Sequence, residues 1–166
     1  MRAKKYWTCT ADIVFVKRDK KYHDNRVCED GAADLADLPE KTITCSNDAA
    51  DAARELLGDL DVEGVVVLML NNGNRLIGAC RIALGINNQC AVYPRNIFTA
   101  ALLSNAVSII LAHNHPSETT IPSESDWNMT KQIHAAGKIL QIPLLDHLIL
   151  AGDKIVSLRE SPRWPA

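Results

Sequence analysis

The chain has 166 residues, of which 47% are apolar and 23% charged, a composition that predicts one globular domain with a substantial core and excludes a disordered chain. The net charge of -2 at pH 7 gives no general attraction to nucleic acid or to anionic lipid. No apolar run approaches the roughly 18 residues of a membrane span, and polar groups break the N-terminus too early for a signal peptide.

The cysteines indicate the redox environment. The chain has five of them, an odd number with no C-x-x-C pair. This spacing argues against a disulfide framework and against a cysteine-based zinc site. We therefore expect a cytoplasmic protein with reduced thiols.

The predicted elements begin with a strand and a helix separated by a polar stretch. Residues 8–17 are apolar and β-branched enough for a strand, whereas residues 18–41 are charged and predict a long excursion or a poorly packed hairpin. Residues 46–60 then combine a capping residue, alanines and leucines at helical spacing, and Gly58 as a stop signal. This segment predicts the first helix.

Apolar strands and amphipathic helices alternate through the rest of the chain. Residues 63–70 form a valine-rich run typical of a strand buried on both faces, and an Asn-Gly turn follows it. The later pattern predicts, in chain order, a returning strand, a helix, a second buried strand, a long amphipathic helix and a strand–turn–strand unit: residues 75–85, 93–106, 107–112, 123–142 and 143–158.

This alternation, with both hairpins and crossovers, predicts an α/β fold in which helices flank a mixed β-sheet. We place the main domain at residues 44–160. An N-terminal extension at 1–43, made of a strand and the polar excursion, precedes it, and a short tail at 161–166 follows it.

Two of the five histidines, His113 and His115, follow the second buried strand and are separated by a single residue. Because side chains alternate along extended backbone, an H-x-H pair points both imidazoles to one side. Asp126, in the first turn of the next predicted helix, lies within reach of the same point. Two imidazoles and a carboxylate that leave a fourth position for water suit tetrahedral zinc best. The pattern therefore predicts a zinc ion in each chain.

The same segment also fits a simpler structural role. Ser123 and Asp126 form an S-x-x-D pattern directly after Pro122 and before an apolar periodic run, as in a helix-capping arrangement. The two roles are compatible, because Ser123 can cap the helix while Asp126 binds the ion. The histidine pair and the S-x-x-D pattern together favour the metal site over a capped loop alone.

Hydrolysis at such a site also requires a general base near the attacking water. Glu63 opens the valine-rich strand, where a carboxylate has little packing reason to lie. Its position alone leaves two interpretations open. Glu63 is the base, or it is a solvent-exposed end of the helix–strand loop beside Asp59 and Asp61.

The pattern H-x-H-x7-S-x-x-D, with a glutamate upstream at a strand start, resembles the JAMM (MPN+, JAB) metalloprotein motif. The fuller string is similar to the RadC branch of that superfamily. The segments that carry the resemblance are HNHPS at 113–117, PSESD at 122–126, Thr130, LLDHLIL at 144–150 and Ser157. It covers roughly residues 44–160 and implies a mixed β-sheet flanked by helices, related to the cytidine deaminase core.

The resemblance also implies roles for the motif residues. His113, His115 and Asp126 would hold zinc, Glu63 would bind and deprotonate the zinc water, and Ser123 would help to stabilise the oxyanion. Apart from these implied roles, four residues are candidates for a supporting position behind the ligands: Asn114, Ser117, Asp146 and His147. Of these, His147 is also interpreted, more simply, as a core histidine.

This sequence departs from the family pattern at two positions near the motif. Glu118 follows HNHPS where RadC-like proteins usually have glycine, which puts a carboxylate beside the proposed metal. We expect this exchange to alter the loop backbone and the substrate preference. Asn96 follows Arg95 where an Arg-Glu pair is common in the family.

The predicted function is zinc-dependent hydrolysis, and the resemblance makes a peptide amide or isopeptide bond the leading substrate. A DNA-associated, repair-type protein or a metal-dependent nuclease is the alternative, with Lys4, Lys5, Lys17, Lys20 and Lys21 as phosphate contacts, although the acidic net charge argues against it. A non-catalytic metal-binding scaffold is the third possibility. A zinc deaminase is excluded, because the chain lacks H-x-E with P-C-x-x-C. We expect no membrane partner, and the sequence does not give the oligomeric state.

Overall fold

The structure, a computed structural model, describes residues 12–15, 41–57, 60–84 and 92–165. Its strands are β1 (Asp12–Phe15), β2 (Gly64–Leu70), β3 (Leu76–Leu84), β4 (Ser108–Asn114), β5 (Leu144–Ala151) and β6 (Lys154–Ser157). Its helices are α1 (Ser46–Leu57), α2 (Pro94–Leu103) and α3 (Glu124–Leu140), and a 3₁₀ turn at Leu158–Glu160 follows β6. The polar excursion predicted at 18–41 and the N-terminal lysines lie, except for residue 41, outside the described residues.

The six described strands form one mixed sheet in the order β1-β3-β2-β4-β5-β6. β2 lies near the centre and is antiparallel to both of its neighbours, β3 and β4. β4 pairs in parallel with β5, while β1 and β6 pair antiparallel at the two edges. The predicted α/β fold with a mixed sheet is therefore confirmed.

Helices cover both faces of the sheet, and each face has its own apolar core. The buried alanines and leucines of α1 pack on one face against β2, β4 and β5. On the other face, Ile97 and Phe98 of α2 and Ile133 of α3 pack over Val67 and Leu111. Every residue of β2 is buried, which explains why its sequence is a continuous apolar run rather than an alternating one.

Helix α1 starts with a charged cap. Oδ2 of Asp48 accepts hydrogen bonds from the hydroxyl and the backbone N–H of Thr44, at 2.6 and 2.8 Å, and from the backbone N–H of Cys45 at 3.2 Å. The bonds from Thr44 lower the pKa of Asp48 to about 2. Asp48 therefore stays charged at the positive end of the helix dipole through the neutral pH range.

Strand β4 is longer than the sequence predicts. The predicted strand covers 107–112, which leaves both histidines in the loop that follows it. In the structure it runs from Ser108 to Asn114, because His113 pairs with Val65 of β2 and with Ile149 of β5. The first histidine of the pair is therefore held inside the sheet, with a strand on each side.

Gly137 sets the distance between α3 and the start of β5. A Cβ at this position would lie 2.6 Å from the carbonyl oxygen of Ile142 and 3.4 Å from Cζ of Phe98. At an exposed position inside a helix, replacement of glycine by alanine raises the free energy of unfolding by about 0.5–1 kcal/mol. Here we expect Gly137→Ala to lower the free energy of unfolding by about 1–3 kcal/mol, because backbone must move.

Urea denaturation of Gly137→Ala beside Gly73→Ala tests this expectation. A Cβ on Gly73 would lie 3.5 Å from Oδ1 of Asn71, which is ordinary contact, so that variant should stay within about 0.5 kcal/mol of the parent. Stabilisation by Gly137→Ala would show that helix propensity outweighs the close approach.

Within the described residues, no helix is both long enough and apolar enough to cross a membrane. Among the same residues neither Cys45, which is exposed before α1, nor Cys80, which is buried in β3, forms a disulfide.

Candidate metal centre

Strand β4 and the residue directly after it supply two imidazoles to one point on the face that carries α3. His113 is completely buried, and His115 follows two residues later, so their side chains point to the same side. Their Nε2 atoms are 2.9 Å apart. Nδ1 of His115 lies 2.7 Å from the carbonyl oxygen of Thr119, which fixes this ring although it lies at the end of the strand.

The first turn of α3 brings Asp126 to the same point. Ser123 is the N-cap: its hydroxyl accepts from the backbone N–H of Asp126 at 3.2 Å, and Oδ2 of Asp126 accepts from the backbone N–H of Ser123 at 2.7 Å. Oδ1 of the same carboxylate lies 3.2 Å from Nε2 of His113. Asp126 thus closes the capping box with Oδ2, while Oδ1 faces His113 and Oδ2 lies 3.6 Å from Nε2 of His115.

Glu63 completes the group from a third direction. The residue immediately precedes β2, and its side chain is 51% exposed, the most open of the four. Oε1 lies 3.9 Å from Nε2 of His113. Glu63 therefore lies at the solvent side of the cluster, where a carboxylate can meet both a bound ion and an incoming substrate.

The four side chains fit a metal ion. One ligand atom from each lies within 4.8 Å of all the others. Ligands held about 2.0–2.1 Å from a tetrahedral ion are about 3.3 Å apart. Nε2 of His113 lies 2.9 Å from Nε2 of His115 and 3.2 Å from Oδ1 of Asp126, and Nε2 of His115 lies 3.6 Å from Oδ2 of Asp126. The mixture of imidazole and carboxylate donors suits zinc and neighbouring transition metals better than magnesium or calcium.

Asp126 is ionised in this site. Burial raises the pKa of its carboxyl group, but the hydrogen bond and charge of His113, together with the bonds from Ser123, outweigh burial and lower the pKa below its ordinary range. A carboxylate that is charged across the neutral pH range is a ligand that needs no deprotonation before it binds a cation.

His147 lies behind His113 and is completely buried. Its Nε2 is 2.9 Å from Nδ1 of His113, and its Nδ1 is 2.6 Å from the hydroxyl oxygen of Thr130. Burial and the charge of His113 lower the pKa of His147 well below its usual value, with Asp126 opposing them, so the ring is neutral. The structure therefore places His147 in the core, as the simpler interpretation predicts, and also in contact with a candidate ligand.

Asn114 points to the opposite face of the sheet and holds the segment that carries Glu63. Its Oδ1 accepts from the backbone N–H of Gly64 at 2.7 Å, and its Nδ2 donates to the carbonyl of Val62 at 3.0 Å. These bonds bracket Glu63 on both sides. Asn114 therefore supports the cluster through the backbone and not through contact with the ligands.

The remaining predicted residues take other roles. Ser117 is exposed in the loop after β4 and forms no hydrogen bond with the cluster in the part of the chain that the structure describes. Asp146 accepts from the hydroxyl of Ser157 at 2.7 and 2.9 Å, so it joins β5 to β6. The hydroxyl of Ser123 donates to Asp126 at 2.7 Å, which orients the ligand, and its oxyanion role stays a prediction.

Two contacts of the site were missing from the sequence-based prediction. The carbonyl of Thr119 fixes His115, but a backbone acceptor leaves no signal in a sequence. Thr130 matches the family pattern, yet nothing in its helical surroundings indicates that its hydroxyl meets a histidine from β5. Both contacts depend on how the loop and α3 fold back over β4.

Glu118 occupies a strained backbone position beside the site. Its φ is 55°, in the left-handed region that favours glycine, and its N–H donates to the carbonyl of His115 at 2.9 Å. The tight turn thus explains why a glycine is usual here. Together with His115, Glu118 lines an open cleft of ≈ 440 Å³. The other departure, Asn96, lies in the first turn of α2, on an element that provides no ligand.

Replacement of Glu118 by glycine should stabilise the protein. We expect Glu118→Gly to raise the free energy of unfolding by about 0.5–1 kcal/mol, because a left-handed residue with a Cβ is strained. Urea denaturation measures the gain. The matched control, Glu118→Gln, removes the charge but keeps the strain, so an equal gain in both variants would assign the effect to charge instead.

A mixed sheet thus brings two histidines and two carboxylates together at a candidate metal site in an α/β domain. Comparison with known proteins identifies the domain. Residues 43–163 match the RadC-like JAB domain family. The chain belongs to that family, which confirms the resemblance found in its motifs.

The curated relatives carry the name UPF0758 protein. The one from Desulforamulus reducens is 39% identical over 128 residues, which cover 75% of this chain and 56% of that protein. Those from Salinibacter ruber and Thermosynechococcus vestitus are 42% and 43% identical, over 71% and 75% of this chain and 51% of each relative. The chain thus spans about half the length of the curated relatives it matches.

Proposed function

We propose that this domain is a zinc-dependent hydrolase that cleaves an amide bond, either in a peptide or in an isopeptide linkage. The observation that carries the proposal is the convergence of His113, His115 and Asp126 with the half-exposed Glu63. Three buried or half-buried ligands with an open carboxylate beside them are the parts that metal-assisted hydrolysis requires.

The residues divide the work between binding and proton transfer. His113, His115 and Asp126 would hold zinc, whose chemistry is to polarise a carbonyl group and to lower the pKa of water to roughly 7. Glu63, the least buried carboxylate of the group, would accept a proton from the attacking water and return it to the leaving amine.

The charge around the site favours an amide over a phosphodiester. Asp61, Glu63 and Glu118 are exposed carboxylates on the two segments that border the cluster. Arg54 lines the same cleft, but its guanidinium donates to the carbonyls of Gly152 and Asp153. A polyanionic nucleic-acid backbone would meet mainly negative charge at this surface, whereas a neutral peptide bond would not.

Substrate panels at fixed metal content test the proposal. The chain is stripped with a chelator, reloaded with a single equivalent of zinc, and incubated with a peptide library, with a branched peptide joined through a lysine side chain, and with single- and double-stranded DNA. Zinc-dependent release of new amino groups supports the proposal. Cleavage of DNA alone assigns the domain to metal-dependent nucleases, and tight zinc binding without any turnover assigns it to metal-binding scaffolds.

A further inference from the structure

We propose that Thr130 and His147 are positioning residues that fix the tautomer of His113 and so direct the lone pair of its Nε2 toward the ligand cluster. The proposal rests on the proposed function in one respect only, namely that the lone pair receives a metal ion. The order of the hydrogen bonds follows from the protein atoms themselves.

Thr130 determines which atoms donate and which accept in the series of hydrogen bonds from Thr130 through His147 to His113. The hydroxyl of Thr130 lies 2.7 Å from the backbone carbonyl of Asp126, one turn earlier in α3. A carbonyl oxygen can only accept, so the single hydroxyl proton of Thr130 is committed to it. Oγ1 of Thr130 must then accept from Nδ1 of His147, 2.6 Å away. His147 therefore carries its proton on Nδ1.

His147 in turn fixes the position of the proton on His113. A neutral imidazole with a proton on Nδ1 has a bare Nε2, which can only accept. The Nε2 of His147 lies 2.9 Å from Nδ1 of His113, so His113 must donate from Nδ1. In its neutral form, with no proton left on Nε2 to share with Asp126, the His113 ring then presents a lone pair at that atom, which lies 3.2 Å from Asp126 and 2.9 Å from His115.

His115 reaches the same tautomer by an independent route. Its Nδ1 lies 2.7 Å from the carbonyl of Thr119, which can only accept, so Nδ1 must donate and the neutral form of the ring likewise has a bare Nε2. Both lone pairs and both carboxylates consequently face one another, and such a group of acceptors is stable only with a proton or a cation between them. Ligating histidines in metal sites are fixed by N–H donation in this manner.

The hydrogen-bonded series Thr130–His147–His113 forms a relay behind the ligand cluster. Water cannot replace a member of this relay, whereas it can replace the loop carbonyl that contacts His115. Thr130, His147 and His113 all have an exposed fraction of 0%. If Thr130 could not accept, the proton of His147 would move to Nε2, where it would face Nδ1 of His113. His113 would then have to carry its own proton on Nε2, and the lone pair would be lost. A change of one buried hydroxyl is thus transmitted through two rings.

Two readouts test the relay on the full chain. In the metal-free protein, long-range ¹H–¹⁵N correlation spectra of the histidine rings should show His147 with its proton on Nδ1. Thr130→Val should shift that proton toward Nε2, and Thr130→Ser should restore the parent pattern. Competition against a chromophoric chelator should show zinc bound about 10–100-fold more weakly by Thr130→Val, with Thr130→Ser close to the parent.

A matched control separates the relay from helix stability. The hydroxyl of Thr99 in α2 makes the same bond to a carbonyl one turn earlier, at 2.7 Å to Arg95, but it is exposed. Thr99→Val should leave zinc affinity and ring spectra unchanged.

A parent spectrum with the His147 proton on Nε2 overturns the proposal, whether or not any variant folds. A folded Thr130→Val protein with parental zinc affinity also overturns it. A parent that binds no zinc yet shows the Nδ1 proton counts against the proposed function and leaves the relay intact.

Discussion

Replacement of both His113 and His115 by alanine will reduce the zinc content of the protein from close to stoichiometric to background. The double variant removes two of the four converging ligand atoms, including the fully buried one. Loss of a residue behind a ligand already costs about 10–100-fold in metal affinity, so loss of two ligands should cost more than about 100-fold. Plasma mass spectrometry on tag-free protein, purified without added metal, measures the content.

His134→Ala is the matched control for this experiment. His134 lies in α3 and packs edge-on against Trp164, 5.8 Å between ring centroids, away from the ligand cluster. The His134→Ala variant should keep the parental zinc content.

Zinc should also stabilise the parent against unfolding by about 2.7 kcal/mol at a free concentration 100 times the Kd, and should not stabilise the double variant. A well-folded double variant that retains stoichiometric zinc would place the metal elsewhere in the chain.

Glu63→Gln will retain the metal and lose turnover. The substitution keeps the shape of the side chain but removes a base, and the other three ligands stay in place. Loss of a positioned general base lowers rates by about 10²–10⁴-fold. The measurement is kcat/KM on a substrate identified in the panel, taken at saturating zinc, together with zinc affinity from chelator competition.

Asp61→Asn provides the control for charge. Asp61 is an exposed carboxylate two residues before Glu63, so its removal changes the local charge by the same amount without touching the cluster. It should leave kcat/KM near the parental value. Full activity in Glu63→Gln would remove Glu63 from the mechanism, and a parallel loss of activity and zinc would make it chiefly a ligand.

Most of the fold could be predicted because each element has a strong local pattern. The continuous valine-rich run of β2 and the alanine-rich face of α1 indicate burial directly. The end of β4 could not be predicted in this way. Polar residues normally end a strand pattern, but His113 continues it because β2 and β5 pair with it on both sides. Pairing between distant segments outweighs local polarity there.

The site residues also differ in whether a local sequence pattern predicts them. His113, His115 and Asp126 could be predicted as a group, because their spacing and the capping pattern lie within one short stretch. Glu63 needed the family resemblance, since fifty residues separate it from His113. The contact between His147 and His113 depends on the parallel register of β4 and β5, in which Leu111 pairs with His147. No local pattern encodes that register.

The bonds of Asn114 determine which parts of this domain can change length without harm. Its side chain forms hydrogen bonds of 2.7 Å to the backbone N–H of Gly64 and 3.0 Å to the carbonyl of Val62, so the position of Glu63 is fixed relative to β4 and not relative to α1. We therefore expect a change of chain length upstream of Leu60 to leave the carboxylate at its distance from the histidines. A designer who wishes to transfer this centre to another protein should therefore move β4, residues 60–64 and the first turn of α3 as one unit.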